Sequence, residues 1–165
     1  MVLSMMTFFG FGGAAKGIVP GDPAPAPTAQ DQDGNQVSFA GVYAKGMTLV
    51  YFYPKADTPG CTAQACSLRD AFAALKGENL QILGVSRDTP EAQKKFQEKY
   101  KLPFTLIADK DGKVAEAFGV PRMLGLPVSS RQSFLIKEGK VVWTSPKAKT
   151  GEHAAEVQAA IDKLQ

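Results

Sequence analysis

Residues 48–53 read TLVYFY, an unbroken run of β-branched, leucine and aromatic side chains closed by Gly46 on one side and Pro54 on the other. A run of strand length without polar alternation is apolar toward both faces, so it belongs in the middle of a sheet that is covered on both sides. The rest of the chain has to supply the neighbouring strands and two covering layers. Residues 81–86 (QILGVS) repeat the buried-strand signature, and residues 102–108 (LPFTLIA) supply a third strand. Between them, Leu68, Phe72 and Leu75 fall at helical spacing before Gly77. Ala92, Phe96 and Tyr100 stripe a second helix that starts at Asp88-Thr89-Pro90-Glu91, which offers a cap and a proline near the first helical position.

Downstream, Asp111-Gly112 marks a turn and residues 114–118 a short helix. Residues 133–136 and 141–144 flank Lys137-Glu138-Gly139-Lys140, a loop of hairpin length. Residues 152–164 place Ala154, Val157, Ile161 and Leu164 on one helical face. Upstream, the three prolines of residues 21–27 (GDPAPAP) impose an extended lead-in, and Asp33-Gly34 turns a small hairpin that ends at Phe39. Strands alternating with helices, then a hairpin and a last helix, predict an α/β fold with a central mixed β-sheet flanked by helices.

At 165 residues and 44% hydrophobic, the chain is long enough for one sizeable core. We expect a single domain over residues 18–165, behind an apolar, glycine-rich extension over residues 1–17. The glycines of that extension (FGFGG) follow no strand and precede no helical pattern, so they do not form a dinucleotide loop. It also lacks the basic start of a secretory signal, which makes the expected location cytoplasmic, with export through the apolar N-terminus as the alternative. A net charge of +3 from scattered residues, with no basic run, argues against nucleic acid. No stretch reaches the roughly 18 apolar residues of a bilayer span.

Two cysteines and a single histidine cannot build a Cys₄, Cys₂His₂ or His₃ cage, so no metal is expected. The cysteines, Cys61 and Cys66, lie five apart, where a stapled secreted scaffold would spread more of them more widely. Cys61 falls at or just before the first turn of the helix that follows the TLVYFY strand. There, unpaired backbone N–H groups and the positive end of the helix dipole favour a thiolate, the nucleophilic form. Thr58, three residues upstream, could aim its hydroxyl at the sulfur or at an incoming oxygen, or be an ordinary loop or cap residue. Pro54 and Pro59 stiffen the loop.

In a regular helix, residues five apart have Cα atoms about 8.6 Å apart, whereas a disulfide needs about 7 Å or less. Either Cys66 never bonds to Cys61, and is a small apolar residue beside Ala65 and Leu68, or the turn unwinds each time it does. The spacing leaves both open. Arg131, ahead of the strand at 133–136, is either a solvated surface residue or a guanidinium that stabilises charge on the sulfur and on oxygen in a transition state. His153 reads as a surface or capping residue, and Asp109-Lys110-Asp111-Gly112 as a turn lacking the other ligands of a calcium loop.

The run Pro54-Lys55-Ala56-Asp57-Thr58-Pro59-Gly60-Cys61 resembles the P-x-x-x-T-x-x-C active-site loop of the peroxiredoxins. With a second cysteine five residues on, it is similar to their bacterioferritin-comigratory, or Q-type, subfamily. The resemblance runs from about Ile18 to the C-terminus and takes in Gly21-Asp22-Pro23-Ala24-Pro25, Leu102-Pro103-Phe104 and Arg131. It implies a thioredoxin-like fold and a thiol peroxidase that needs no metal or organic cofactor. In that reading Cys61 is the peroxidatic residue, Thr58 and Arg131 are its activating partners, Pro54 is a shield and Cys66 the resolving residue. Hydroperoxides are the substrates, and thioredoxin or a similar dithiol recycles a Cys61–Cys66 disulfide. With that partner inside the same chain, a monomer suffices. Two other functions are weighed against it: a thioredoxin-fold binding or chaperone-like module with inert cysteines, and a dithiol-disulfide oxidoreductase, whose cysteines would be separated by two residues instead of four.

Overall fold

The computed structural model describes residues 17–77 and 79–165. In chain order its elements are β1 (Thr28–Gln30), β2 (Gln36–Ser38), α1 (Phe39–Tyr43), β3 (Thr48–Phe52), α2 (Pro59–Asp70), α3 (Phe72–Gly77), β4 (Gln81–Ser86), α4 (Pro90–Tyr100), β5 (Thr105–Ala108), α5 (Lys113–Ala117), β6 (Ser133–Lys137), β7 (Lys140–Ser145) and α6 (His153–Asp162). As its unbroken apolar run requires, β3 lies at the centre of a five-stranded sheet ordered β5-β4-β3-β6-β7, and all five of its residues are fully buried.

β3 runs parallel to β4, with Leu49 opposite Ile82, and antiparallel to β6, with Tyr51 opposite Ser133. The C-terminal end of β3 and the N-terminal end of β6 therefore share one edge of the sheet, where Cys61 and Arg131 can meet. Both outer strands are covered. The lead-in loop bonds along β7 through Gly21 N–H to Val141 O and Ala24 N–H to Gly139 O. Gln32, in the β1-β2 turn, accepts from Leu106 N–H on β5. Covered edges cannot recruit a stray strand.

Side chains alternate across β3. Leu49, Tyr51 and Tyr53 pack with residues of α2, α3, α4 and α6, while Val50 and Phe52 pack with Phe39 of α1, Val114 and Ala115 of α5, and Phe118. Gly84 on β4 makes room for one of these: a Cβ there would lie 2.9 Å from the ring of Tyr51.

The expected strands and hairpins are present, with some shifts, and the one helix expected through Leu68, Phe72 and Leu75 breaks at Ala71 into α2 and α3. β5 begins at Thr105 instead of Leu102, because Pro103 has no N–H for the ladder, although Leu102 and Phe104 stay buried. α2 starts at Pro59, earlier than the apolar spacing suggested, and α1 is an unexpected single turn capped by Ser38 Oγ on Gly41 N–H at 3.2 Å. Residues 1–16 of the expected extension lie outside the described residues.

Candidate active site

At the shared edge, the chain leaves β3 through Pro54 and enters α2 with Pro59 at its first position, which puts Cys61 in the first helical turn. Cys61 is 2% exposed. Phe52 N–H donates to Gln132 O at 2.7 Å, extending the β3-β6 ladder to the residue beside Arg131. The Arg131 guanidinium then reaches α2 with two N–H groups: Nη2 donates to Cys61 Sγ at 3.5 Å, and Nη1 to Gln64 Oε1 at 2.7 Å. Gly60 permits this approach, since a Cβ there would lie 3.1 Å from Nη2 and have to displace it. Arg131 thus places a fixed positive charge against the sulfur.

Gln64 was not anticipated. It lies one helical turn beyond Cys61 and is fully buried, and its carbonyl oxygen orients the arginine. A glutamine inside a helix carries no local sign of such a role, because its partner is 67 positions away. Thr58 precedes α2 without capping it, and its hydroxyl donates to Lys55 O at 2.7 Å. With its one proton committed there, Thr58 Oγ1 faces everything else as an acceptor. Pro54 is half-buried where the chain leaves the sheet. Cys66 lies farther along the same helix, half-buried, and both cysteines are free thiols, as the regular helical spacing demands.

A polar network holds the loop between β3 and α2. Asp88 Oδ2 accepts from Ala56 N–H at 2.8 Å and from Ser86 Oγ. Gln93 Nε2 donates to Ser86 Oγ and to Ile107 O, each at 2.9 Å, and Gln93 Oε1 accepts from the Tyr53 hydroxyl. Burial pushes the Tyr53 phenol well above its ordinary range and keeps it a neutral donor.

His153 corrects the sequence reading. It is fully buried at the start of α6, and its Nε2 shares a 2.9 Å hydrogen bond with Ser133 Oγ on β6. Burial first, and the Arg131 charge second, lower its pKa to about 4, which leaves the imidazole neutral at pH 7. Asp109 is also more than a turn residue: its buried carboxylate accepts from Val114 and Ala115 N–H at 2.9 Å and fixes the start of α5.

A free, buried cysteine under an arginine at a helix start is an arrangement that can stabilise a thiolate, and comparison with known proteins shows the family. Residues 20–144 match the model of the AhpC/TSA family. The chain is 45% identical over 139 residues to peroxiredoxin Bcp of Escherichia coli strain K12, covering 81% of this chain and 88% of that protein. The chain belongs to the AhpC/TSA family, in its Bcp/peroxiredoxin Q branch. Chloroplastic peroxiredoxin Q of Oryza sativa subsp. japonica is 41% identical over 125 residues, and the alignment spans 76% of this chain and 57% of the rice protein. Among solved structures, the bacterioferritin comigratory protein of Xanthomonas campestris superposes with a TM-score of 0.77 at 28% identity, over 84% of this chain and 91% of that one. The thioredoxin-like peroxiredoxin fold is thus common to this chain and its relatives.

Proposed function

We propose that this protein is a thiol peroxidase that reduces hydrogen peroxide and organic hydroperoxides, with residues 18–165 as its single domain. The observation that carries the reading is the 3.5 Å contact of Arg131 Nη2 with the buried Cys61 sulfur in the first turn of α2. Cys61 thiolate attacks the terminal oxygen of ROOH. The O–O bond breaks, the leaving alkoxide takes a proton and departs as ROH, and the sulfur is oxidised to sulfenic acid. Arg131 stabilises negative charge as it passes from sulfur to the leaving oxygen. Thr58 Oγ1, already an acceptor, takes a hydrogen bond from the hydroperoxide O–H and so orients it. Pro54 shields the sulfur from water.

The first turns of α2 then unwind, and the Cys66 thiol attacks the Cys61 sulfenic sulfur, forming the S–S bond and releasing water. A dithiol such as thioredoxin reduces this disulfide by exchange and leaves as its own disulfide. Alkyl peroxide reduction is the activity for which the Xanthomonas campestris relative is described, which supports including organic hydroperoxides. The reading keeps a monomer and a cytoplasmic location, to be checked by sedimentation and by fractionation of cells. Among the described residues no helix is long and apolar enough to cross a membrane.

The test is a pair of substitutions. Cys61→Ser is expected to abolish peroxide reduction. Cys66→Ser is expected to keep the first oxidation, seen as one equivalent of peroxide consumed, while losing thioredoxin-driven turnover. An active Cys61→Ser protein overturns the assignment, and normal thioredoxin recycling of Cys66→Ser removes Cys66 from the mechanism.

A further inference from the structure

Both cysteines sit between two side chains that are tied to the same residue of another helix. Four residues before Cys61, Asp57 has a left-handed backbone, with φ of 57°. Its carboxylate accepts from the Tyr100 hydroxyl at 2.8 Å and from Lys99 Nζ at 2.9 Å. Three residues after Cys66, Arg69 Nη1 donates to the backbone carbonyl of that same Tyr100, also at 2.9 Å. Tyr100 is the last residue of α4, a helix fixed at every level. Thr89 Oγ1 caps it through Ala92 N–H, Gln93 anchors it to β4 and β5, and Phe96 is buried in the core.

Resting on the peroxidase reading above, we propose that Tyr100 is a two-ended brace. Its phenol holds Asp57 ahead of the active-site turn and its carbonyl holds Arg69 beyond Cys66, so the unwinding that joins the two cysteines is confined to residues 58–68. The geometry allows it. Asp57 and Arg69 are twelve residues apart, a contour of about 40 Å when extended, so fixed ends leave ample slack for two sulfurs to meet. What must be given up lies inside the braced segment: the Arg131 bonds to Cys61 and Gln64, and the bond from Ala154 N–H to Ser67 Oγ. Tyr100 is a positioning residue in this scheme. It touches neither sulfur, and it sets how far the helix opens and how quickly it opens compared with a second peroxide attack, which would turn Cys61–SOH and ROOH into Cys61–SO₂H and ROH.

The experiment compares hydrogen exchange of the full chain in its reduced and its peroxide-oxidised disulfide forms. The brace predicts that exchange rises on oxidation within residues 58–68 and at the amides of residues 69–71, whose carbonyl acceptors lie in that segment, and no farther. Arg69→Met is expected to let the gain run past Ala71 into α3, where Leu75 N–H donates to Ala71 O. It should also raise the peroxide concentration that hyperoxidises half of Cys61 by about threefold to tenfold, because an unwound segment no longer tethered beyond Cys66 has more conformations open to it. Tyr100→Phe, which keeps the carbonyl, is expected to lower protection at residues 55–57 and leave it unchanged beyond Arg69. Unchanged protection of β3 and β4 amides verifies that each variant is folded. A wild-type gain that spreads beyond Ala71, or an Arg69→Met protein with the wild-type hyperoxidation threshold, overturns the brace while leaving the peroxidase reading intact. A wild type that forms no disulfide with peroxide overturns both.

Discussion

The two faces of β3 are built from similar residues and do different work. Toward α1 and α5, Val50 and Phe52 meet a mainly apolar layer in which Phe118 lies 5.1 to 6.3 Å, centroid to centroid, from Phe134, Phe52 and Phe39. Toward α2 and α4, the strand presents Tyr51 and Tyr53, whose rings stack at 5.4 Å. Each adds a hydroxyl to a layer that also buries Cys61, Gln64, Gln93 and His153. Among the described residues, Tyr51 Oη, Gln64 Nε2 and His153 Nδ1 are buried there without a hydrogen-bond partner. Such groups cost stability, which a layer built for packing alone would avoid. One face holds the sheet together, and the other accepts that cost in order to surround a reactive sulfur with fixed dipoles.

This difference can be broken from either side. The largest effect is expected on the apolar face. Phe118→Ala should cost about 3–5 kcal/mol of stability in a urea titration, while the folded fraction keeps its rate of reaction with peroxide. A variant that is stable but slow would mean that the two faces do not divide the work. On the polar face the pattern should reverse. Arg131→Met is expected to slow the first oxidation of Cys61 about 10²- to 10³-fold in stopped-flow kinetics, the range typical of losing one preorganised donor, with a much smaller change in stability.

His153 gives the smallest of the three effects. Its pKa is about 4 in the fold, against 6.5 for the free side chain, so between these values the unfolded chain binds the extra proton. Its contribution is complete above about pH 6.5 and lost as pH falls toward 4. The loss amounts to at most about 3 kcal/mol, from roughly 1.4 kcal/mol per pKa unit. His153→Asn should flatten stability against pH in that window. A wild-type slope retained in the variant would place the titration elsewhere.

What the sequence revealed follows the range over which each signal acts. β3, β4 and the β6-β7 hairpin are legible because apolar runs and a glycine turn are local signals. The placement of Cys61 is nearly so, since a strand end, two prolines and a helix start all lie within ten residues. Pro59, at the first helical position, marks the start of α2 more faithfully than the apolar spacing of Leu68, Phe72 and Leu75. Gln64 and His153 escaped because their surroundings come from across the fold: Arg131 is 67 residues from Gln64, and Ser133 is 20 from His153. The same holds for the strand order and for Tyr100, whose spacing announces only a helix stripe.

The proposed cycle turns on Cys61 and Cys66 forming one peroxide-driven pair. Its most direct test adds one equivalent of hydrogen peroxide to the fully reduced protein, then counts free thiols and records the intact mass within seconds. Both thiols are expected to disappear, with a mass lower by two hydrogens. Two surviving thiols at unchanged mass would contradict it.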